Sequence, residues 1–240
     1  MSDGIWAAAS GAINQLAVLD TSANNVANAS TPGYKTEQIV FSEVMSGASQ
    51  RRDVRLSQIA QTSSDVSAAG SMSTGRGLDV ALTGEGFFKV KVGDEEQYTR
   101  AGSFDVSKDG HLVDKSGADI LDRTGAAILV PREAKAVEIS ADGTVSADGN
   151  KVGQLGVVTF DKSSMLERAE GQRYRATANT GAAKEIDPVL SPGALEQSNA
   201  SPVRSMVDIV SAVRGFEVCE KAVEAFRDAD MRAAQAIMKS

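Results

Sequence analysis

Apolar residues recur at alternating intervals of four and three along the start of the chain. Ile5, Ala9, Ala12, Leu16, Leu19, Ala23 and Val26 all fall on this spacing. It lines one face of an amphipathic helix and keeps the 3.5-residue period of a coiled-coil seam. The helix is predicted to stop near Asn28. There Ser30-Thr31-Pro32-Gly33 puts a proline that cannot continue a helix ahead of a glycine suited to positive φ, the chemistry of a type II turn. A second stripe closes the chain at Ile209, Ala212, Phe216, Cys219, Val223, Phe226, Asp230, Ala233 and Ile237, all apolar except Asp230. Ser201 is placed to cap this helix and Pro202 to occupy its first position, where a missing N–H costs nothing. From residue 203 to 240 it would run about 57 Å at about 1.5 Å per residue.

Between the helices the period drops to two. Phe88, Val90 and Val92 alternate with Phe87, Lys89 and Lys91, the pattern of a β-strand. Asp109-Gly110, Asp142-Gly143 and Asp148-Gly149 are hairpin-turn dipeptides, and short apolar runs at 104–106, 112–113, 120–121, 127–130, 137–139 and 152–160 lie between or beside them. The chain therefore reads as α+β. Its terminal segments 1–35 and 200–240 form one discontinuous, coiled-coil-like helical assembly domain. Residues 36–75 form an extended connector, with 46–76 rich in Ser, Gly, Ala and Gln, and 76–199 form an inserted all-β antiparallel domain.

Each helix alone is marginal. The large apolar residues of the first stripe, Ile5, Leu16, Leu19 and Val26, offer together about 6 to 12 kcal/mol if fully buried. Ordering the backbone of the same helix costs about 1 to 2 kcal/mol per residue, only partly offset by net hydrogen bonding. The stripes need partners. At this stage those are either the protein's own core or neighbouring subunits. The placement of the stripes at opposite ends and their narrow period favour subunits.

Charge sharpens the division. The chain has a formal net charge of −7. Residues 1–35 contribute −1 and residues 203–240 nothing, which leaves −6 in the middle. The middle reads as a solvated domain and the ends as surfaces meant for other protein. The acidic balance argues against nucleic acid and anionic membranes, which need a basic field. Aromatic residues are only 5% of the chain, so much of the close packing falls to small side chains. Cys219 is the sole cysteine and cannot form an intrachain disulfide. The N-terminus lacks the pattern of a cleaved signal peptide, and no run is long and apolar enough to span a membrane.

Motifs for chemistry are sparse. His111 is the sole histidine and follows Asp109-Gly110, where a solvent-facing hairpin position outweighs a catalytic one. Gly75-Arg76-Gly77 and Gly84-Glu85-Gly86 lack the lysine and third glycine of phosphate loops. The two Asp-Gly pairs at 142–149 lack the alternating carboxylates of a calcium loop. No metal, cofactor, small-molecule substrate or catalytic residue is expected.

Residues 22–35, Ser-Ala-Asn-Asn-Val-Ala-Asn-Ala-Ser-Thr-Pro-Gly-Tyr-Lys, resemble the signature of the flagellar rod, hook and hook-associated axial proteins. Leu195-Glu196-Gln197-Ser198-Asn199, Met206-Val207-Asp208 and Arg214-Gly215-Phe216-Glu217 are similar to the C-terminal signature of that family. Residues 78–88 and 98–104 resemble the β-domain of its rod members, and length and turn look most like the proximal-rod ones. The resemblance implies a non-catalytic subunit of the periplasmic rod, exported without a cleaved signal by the flagellar type III apparatus. Its implied partners are copies of itself and other rod proteins, met through the terminal helices. It marks Asn24, Asn25, Asn28, Pro32, Gly33 and Tyr34 as signature residues. The three asparagines either cap and turn the chain locally or bridge to a neighbouring subunit, and both readings stand at this stage. An adhesin or effector sharing the export route, and an enzyme with its site in 76–195, are the competing readings.

Overall fold

The computed structural model describes residues 2–45 and 55–238. Two helices stand at the ends, α1 (Ser2–Ala27) and α2 (Pro202–Met238), with short strands between them. The helix ends follow from local chemistry. Thr31 N donates to Asn28 O and Tyr34 N to Thr31 O, which closes the turn that carries Pro32 and Gly33 (φ 75°). At α2, Ser201 Oγ accepts from Arg204 N at 3.4 Å, an N-cap with Pro202 in the first helical position.

The chain divides into two compact units. One holds residues 1–27, 37–62 and 201–240; the other holds 28–36 and 63–200. Residues 36–75, expected as a connector, carry strands Glu37–Met45, Arg55–Ser64 and Ser71–Ser73. The first two pair with each other, and the third pairs with Ala194–Glu196. Neither of the first two alternates strictly: Glu37–Met45 carries the consecutive apolar residues Ile39, Val40 and Phe41, and Arg55–Ser64 is mostly polar, so the period of two does not show. Residues 46–54 of the expected connector lie outside the described residues.

The β unit is antiparallel throughout its described ladders. Phe87–Val92 is its centre, pairing with Glu95–Thr99, Asp119–Ile120 and Val157–Thr159. The alternation along Phe87–Val92 has a physical reason, since the strand serves two cores. Phe88 and Val90 face one that includes Phe104, Leu112, Ile120, Val145 and Leu155. Phe87 joins a second with Tyr98, Val158, Phe160, Leu166 and Tyr174. Lys89, buried between them in sequence, donates to Arg123 O and pairs with Glu185 at 2.9 Å. The Asp-Gly dipeptides form hairpin turns. Asp148 and Gly149 both have positive φ (48° and 84°), as a two-residue hairpin of the I′ type demands. The Asp142 and Asp148 carboxylates accept backbone N–H groups of Thr144, and of Lys135 and Ala136. Their oxygens therefore serve turns. His111 is half-buried, bridged to Leu129, with Nδ1 3.3 Å from Asp119.

Tyr98 makes an edge-on contact with Phe160 at 4.8 Å. Burial, reinforced by the nearby Glu96 charge, pushes its phenol up from 10.0 to about 12. An acid held neutral in the fold stabilises fully below its unfolded pKa and loses that contribution as pH rises through the folded value. The β unit is therefore expected to lose on the order of 2 to 3 kcal/mol between about pH 10 and 12. Absorbance at 295 nm should show a tyrosinate step near pH 12 that is missing in Tyr98→Phe, and an unchanged step in that variant would count against the assignment.

Candidate assembly surface

α1 and α2 run antiparallel within the first unit, and their pairing is set by small residues. A Cβ on Gly4 would lie 2.7 Å from the Phe226 ring, one on Gly11 3.1 Å from Cys219 Sγ, and one on Gly215 2.8 Å from Gln15 Cδ. In each pair the two residue numbers sum to the same value, as a continuous antiparallel register requires. Ala212 and Ser205 on α2, and Asn14, Ser22 and Asn25 on α1, are buried. The closely packed heptads are therefore Gly4, Gly11 and Asn25 on α1 and Ser205, Ala212, Cys219 and Phe226 on α2. Glycine lets backbones approach where a larger residue would hold them apart.

The seam residues read from sequence divide between the helices. On α2, Ile209, Phe216, Cys219 and Val223 are half-buried and Ala212 is fully buried, while Phe226 touches Gly4 yet keeps part of its ring exposed. Ala233 and Ile237 lie within α2, with side chains outside the described residues. On α1, Ile5, Ala12, Leu19 and Val26 each follow by one residue the heptad that packs on α2. These four and Ala9 are half-buried, and Leu16 and Ala23 are exposed. Gly4, Gly11 and Gly215 were missed because apolar periodicity ignores glycine. Their signal was the seven-residue interval between Gly4 and Gly11.

Both helices carry apolar side chains on faces turned away from their pairing. Trp6 (69% exposed), Ile13 (62%) and Leu16 (45%) mark the outer face of α1. Val203, Met206, Val207, Val210 and Val213 mark that of α2. A helix apolar on opposite sides is shaped to be covered on both, and a contiguous exposed apolar stripe marks an interaction site.

The signature asparagines have separate roles. Asn25 Nδ2 donates to Glu37 O at 2.9 Å, and Glu37 N donates to Asn25 Oδ1 at 3.0 Å, so one amide imitates a strand neighbour. Asn28 Oδ1 accepts from Thr31 Oγ1 at 3.3 Å, a local turn contact. Asn24 is exposed on α1.

In the β unit the signature turn meets two other motifs. Gly33 N donates to Glu196 O, and a Cβ on Gly33 would fall 2.6 Å from Ala101 Cα. Tyr34 is buried beneath the Arg168 guanidinium, 4.5 Å from its ring centroid. Lys35 is fully buried, its Nζ 2.5 Å from Ser67 O and 2.7 Å from Glu196 Oε1. Burial lowers the Lys35 pKa, opposed by Glu196. Arg100, 2% exposed, lies 3.7 Å from Glu196 Oε2 and 5.4 Å from the Phe87 ring centroid; burial lowers its pKa as well. Asn199 Oδ1 accepts from both Thr36 N and Oγ1, while its Nδ2 donates to Asp65 O. The signatures at 30–35, 98–104 and 195–199 thus converge on one place. Sequence reasoning named these motifs and missed that Lys35, Arg100 and Glu196 join, since nothing local in a sequence couples charges so far apart.

Two terminal helices that pair with each other and a separate antiparallel β unit carry no grouping of metal-ligating side chains among the described residues. Three family models match along the chain: flagella basal body rod protein over residues 5–35, flagellar hook protein FlgE/F/G D1 domain over 81–147, and flagellar basal body rod FlgEFG protein C-terminal over 191–236. Flagellar basal-body rod protein FlgF of Caulobacter vibrioides is 34% identical over 214 residues, 86% of each chain. FlgF of Escherichia coli (strain K12) is 33% identical over 97% of this chain and 96% of its own. FlgG of Bacillus subtilis (strain 168) is 31% identical over 93% and 94%. The chain belongs to the flagellar basal-body rod proteins, of FlgF/FlgG type. It is a structural subunit of that rod, a family whose members interact with other rod components. Among the described residues no helix is long and apolar enough to cross a membrane.

Proposed function

We propose that this chain occupies the proximal rod and polymerises through α1 and α2 into the tubular shaft that transmits torque. The observation that carries the reading is the pair of apolar outer faces, Trp6, Ile13 and Leu16 on α1 and Val203 to Val213 on α2. Each helix covers only one side of the other. Copies of this chain and other rod proteins are the fitting partners for the remaining sides. Export by the flagellar type III apparatus accords with assembly outside the cytoplasm. The FlgF relatives support the proximal position; the 31% match to a FlgG supports the distal rod as the second reading.

The test is direct. A chain with a small tag in the β unit is expected in purified basal bodies, and gold label is expected at the end of the rod nearest the inner membrane. Label at the hook-facing half would select the distal reading. Absence of the chain from intact basal bodies would rule out both.

A further inference from the structure

The strands β1 (Glu37–Met45) and β2 (Arg55–Ser64) form a two-stranded ribbon, so each has a single strand neighbour among the described residues. In an antiparallel pair, successive residues send their N–H and C=O to opposite edges. Thr36 O accepts from Asp65 N, just past the end of β2, so Thr36, Gln38 and Val40 turn their backbone groups toward β2. Glu37, Ile39 and Phe41 turn theirs to the outer edge. At Glu37 that edge is filled, and not by a strand: the Asn25 amide donates to Glu37 O and accepts from Glu37 N.

Beyond that first rung α1 gives β1 no further cover. Val40 is 43% and Phe41 44% exposed. Among the described residues, no hydrogen bond reaches the outward N–H or C=O of Ile39 or Phe41. The open groups are backbone donors and acceptors that repeat at every second residue, about 6.8 Å apart. Water satisfies such groups one at a time, whereas another extended backbone satisfies the whole row in register.

We propose that the outer edge of β1 takes up strand β2 of a second copy of this chain, from Ile39 onward, with the Asn25 amide holding the first rung where that strand ends. The inference rests on the reading of the chain as a polymerising subunit. The ribbon offers one edge of each kind. Joining β1 of one copy to β2 of the next is therefore heterologous and leaves a fresh edge at each end, as an open array requires, whereas β1 on β1 is two-fold and closes at a dimer. The pairing adds a backbone contact to the side-chain contacts that α1 and α2 offer.

Photo-cross-linking of the full chain in cells that build rods tests the pairing. With Phe41→p-benzoylphenylalanine, irradiation is expected to give a two-chain product whose joined peptide contains residues 55–64 of the second copy. Ile39→Pro deletes an outward N–H and spares the groups that Val40 offers to β2. The single chain should then keep its circular dichroism while the two-chain product falls by about tenfold or more. Ile39→Thr changes the side chain and keeps the N–H, so its product should stay within about threefold of the parent. A product joined only to other segments or to another protein, or equal losses in Ile39→Pro and Ile39→Thr, would overturn the pairing. An Ile39→Pro chain that loses its circular dichroism would overturn it too, because that N–H would then not face outward. The tagged chain in basal bodies is read separately: its absence there ends the rod reading, whereas its presence without the Phe41 product ends this one.

Discussion

Leu16→Asp is expected to abolish incorporation into the rod, and with it motility, while the isolated chain keeps its helical content and its β unit. Leu16 is 45% exposed on the outer face of α1, in line with Trp6 and Ile13. A charge there meets water in the single chain and costs little, since surface substitutions away from special features stay near zero. In a packed assembly the same change forfeits about 2 kcal/mol of apolar burial and adds the desolvation of a carboxylate, several kcal/mol more. The cost recurs at every copy. Val210→Asp on the outer face of α2 should behave alike. Phe216→Asp is the instructive contrast: Phe216 is half-buried within the helix pair, so this change should block assembly and also loosen the pair. Circular dichroism of purified chains separates the two classes, and swimming-plate complementation reads assembly. A motile Leu16→Asp strain would remove the outer face of α1 from the assembly surface.

The contrast also marks what the sequence could and could not disclose. Both helices, the Ser201 cap, the turn at Pro32-Gly33 and the Asp-Gly hairpins were legible because each is written in adjacent residues. The split service of Phe87 and Phe88 was legible for the same reason, since a strand's two faces alternate residue by residue. The face that α1 turns to α2 was harder to find. Apolar residues drew the stripe to Ile5, Ala12, Leu19 and Val26, while Gly4 and Gly11, each one position before a stripe residue, are what let the helices close. A periodicity count weighs how much a side chain can bury; a tight helix pair selects how little it projects. The paired strands at 37–45 and 55–64 escaped because neither alternates: the first runs three apolar residues together and the second is mostly polar. The Lys35, Arg100 and Glu196 cluster escaped because tertiary charge pairing has no local spacing at all.

Gly33→Val carries the largest stability effect we expect from a single change in the β unit. Two independent penalties fall on this position. At φ 75° Gly33 occupies the left-handed region, where a β-branched residue is a strong outlier costing on the order of 1 to 3 kcal/mol. Its Cβ would also sit 2.6 Å from Ala101 Cα and 2.7 Å from Ala101 N, and these are backbone atoms that no rotamer change can move aside. Relief requires lifting the turn, which breaks the Gly33 N to Glu196 O bond and draws Lys35 away from its carboxylate. The sum is about 3 kcal/mol or more, in the range reserved for backbone strain combined with loss of a buried network. Gly33→Ala should show nearly the same loss, because the clash begins at Cβ, whereas Gly75→Ala keeps a positive φ with open space around it and should cost only the conformational part. Urea unfolding of the three variants separates overlap from conformation. Equal midpoints for Gly33→Ala and Gly75→Ala would mean that the close approach to Ala101 is relaxed at no cost, and that the signature glycine serves its turn alone.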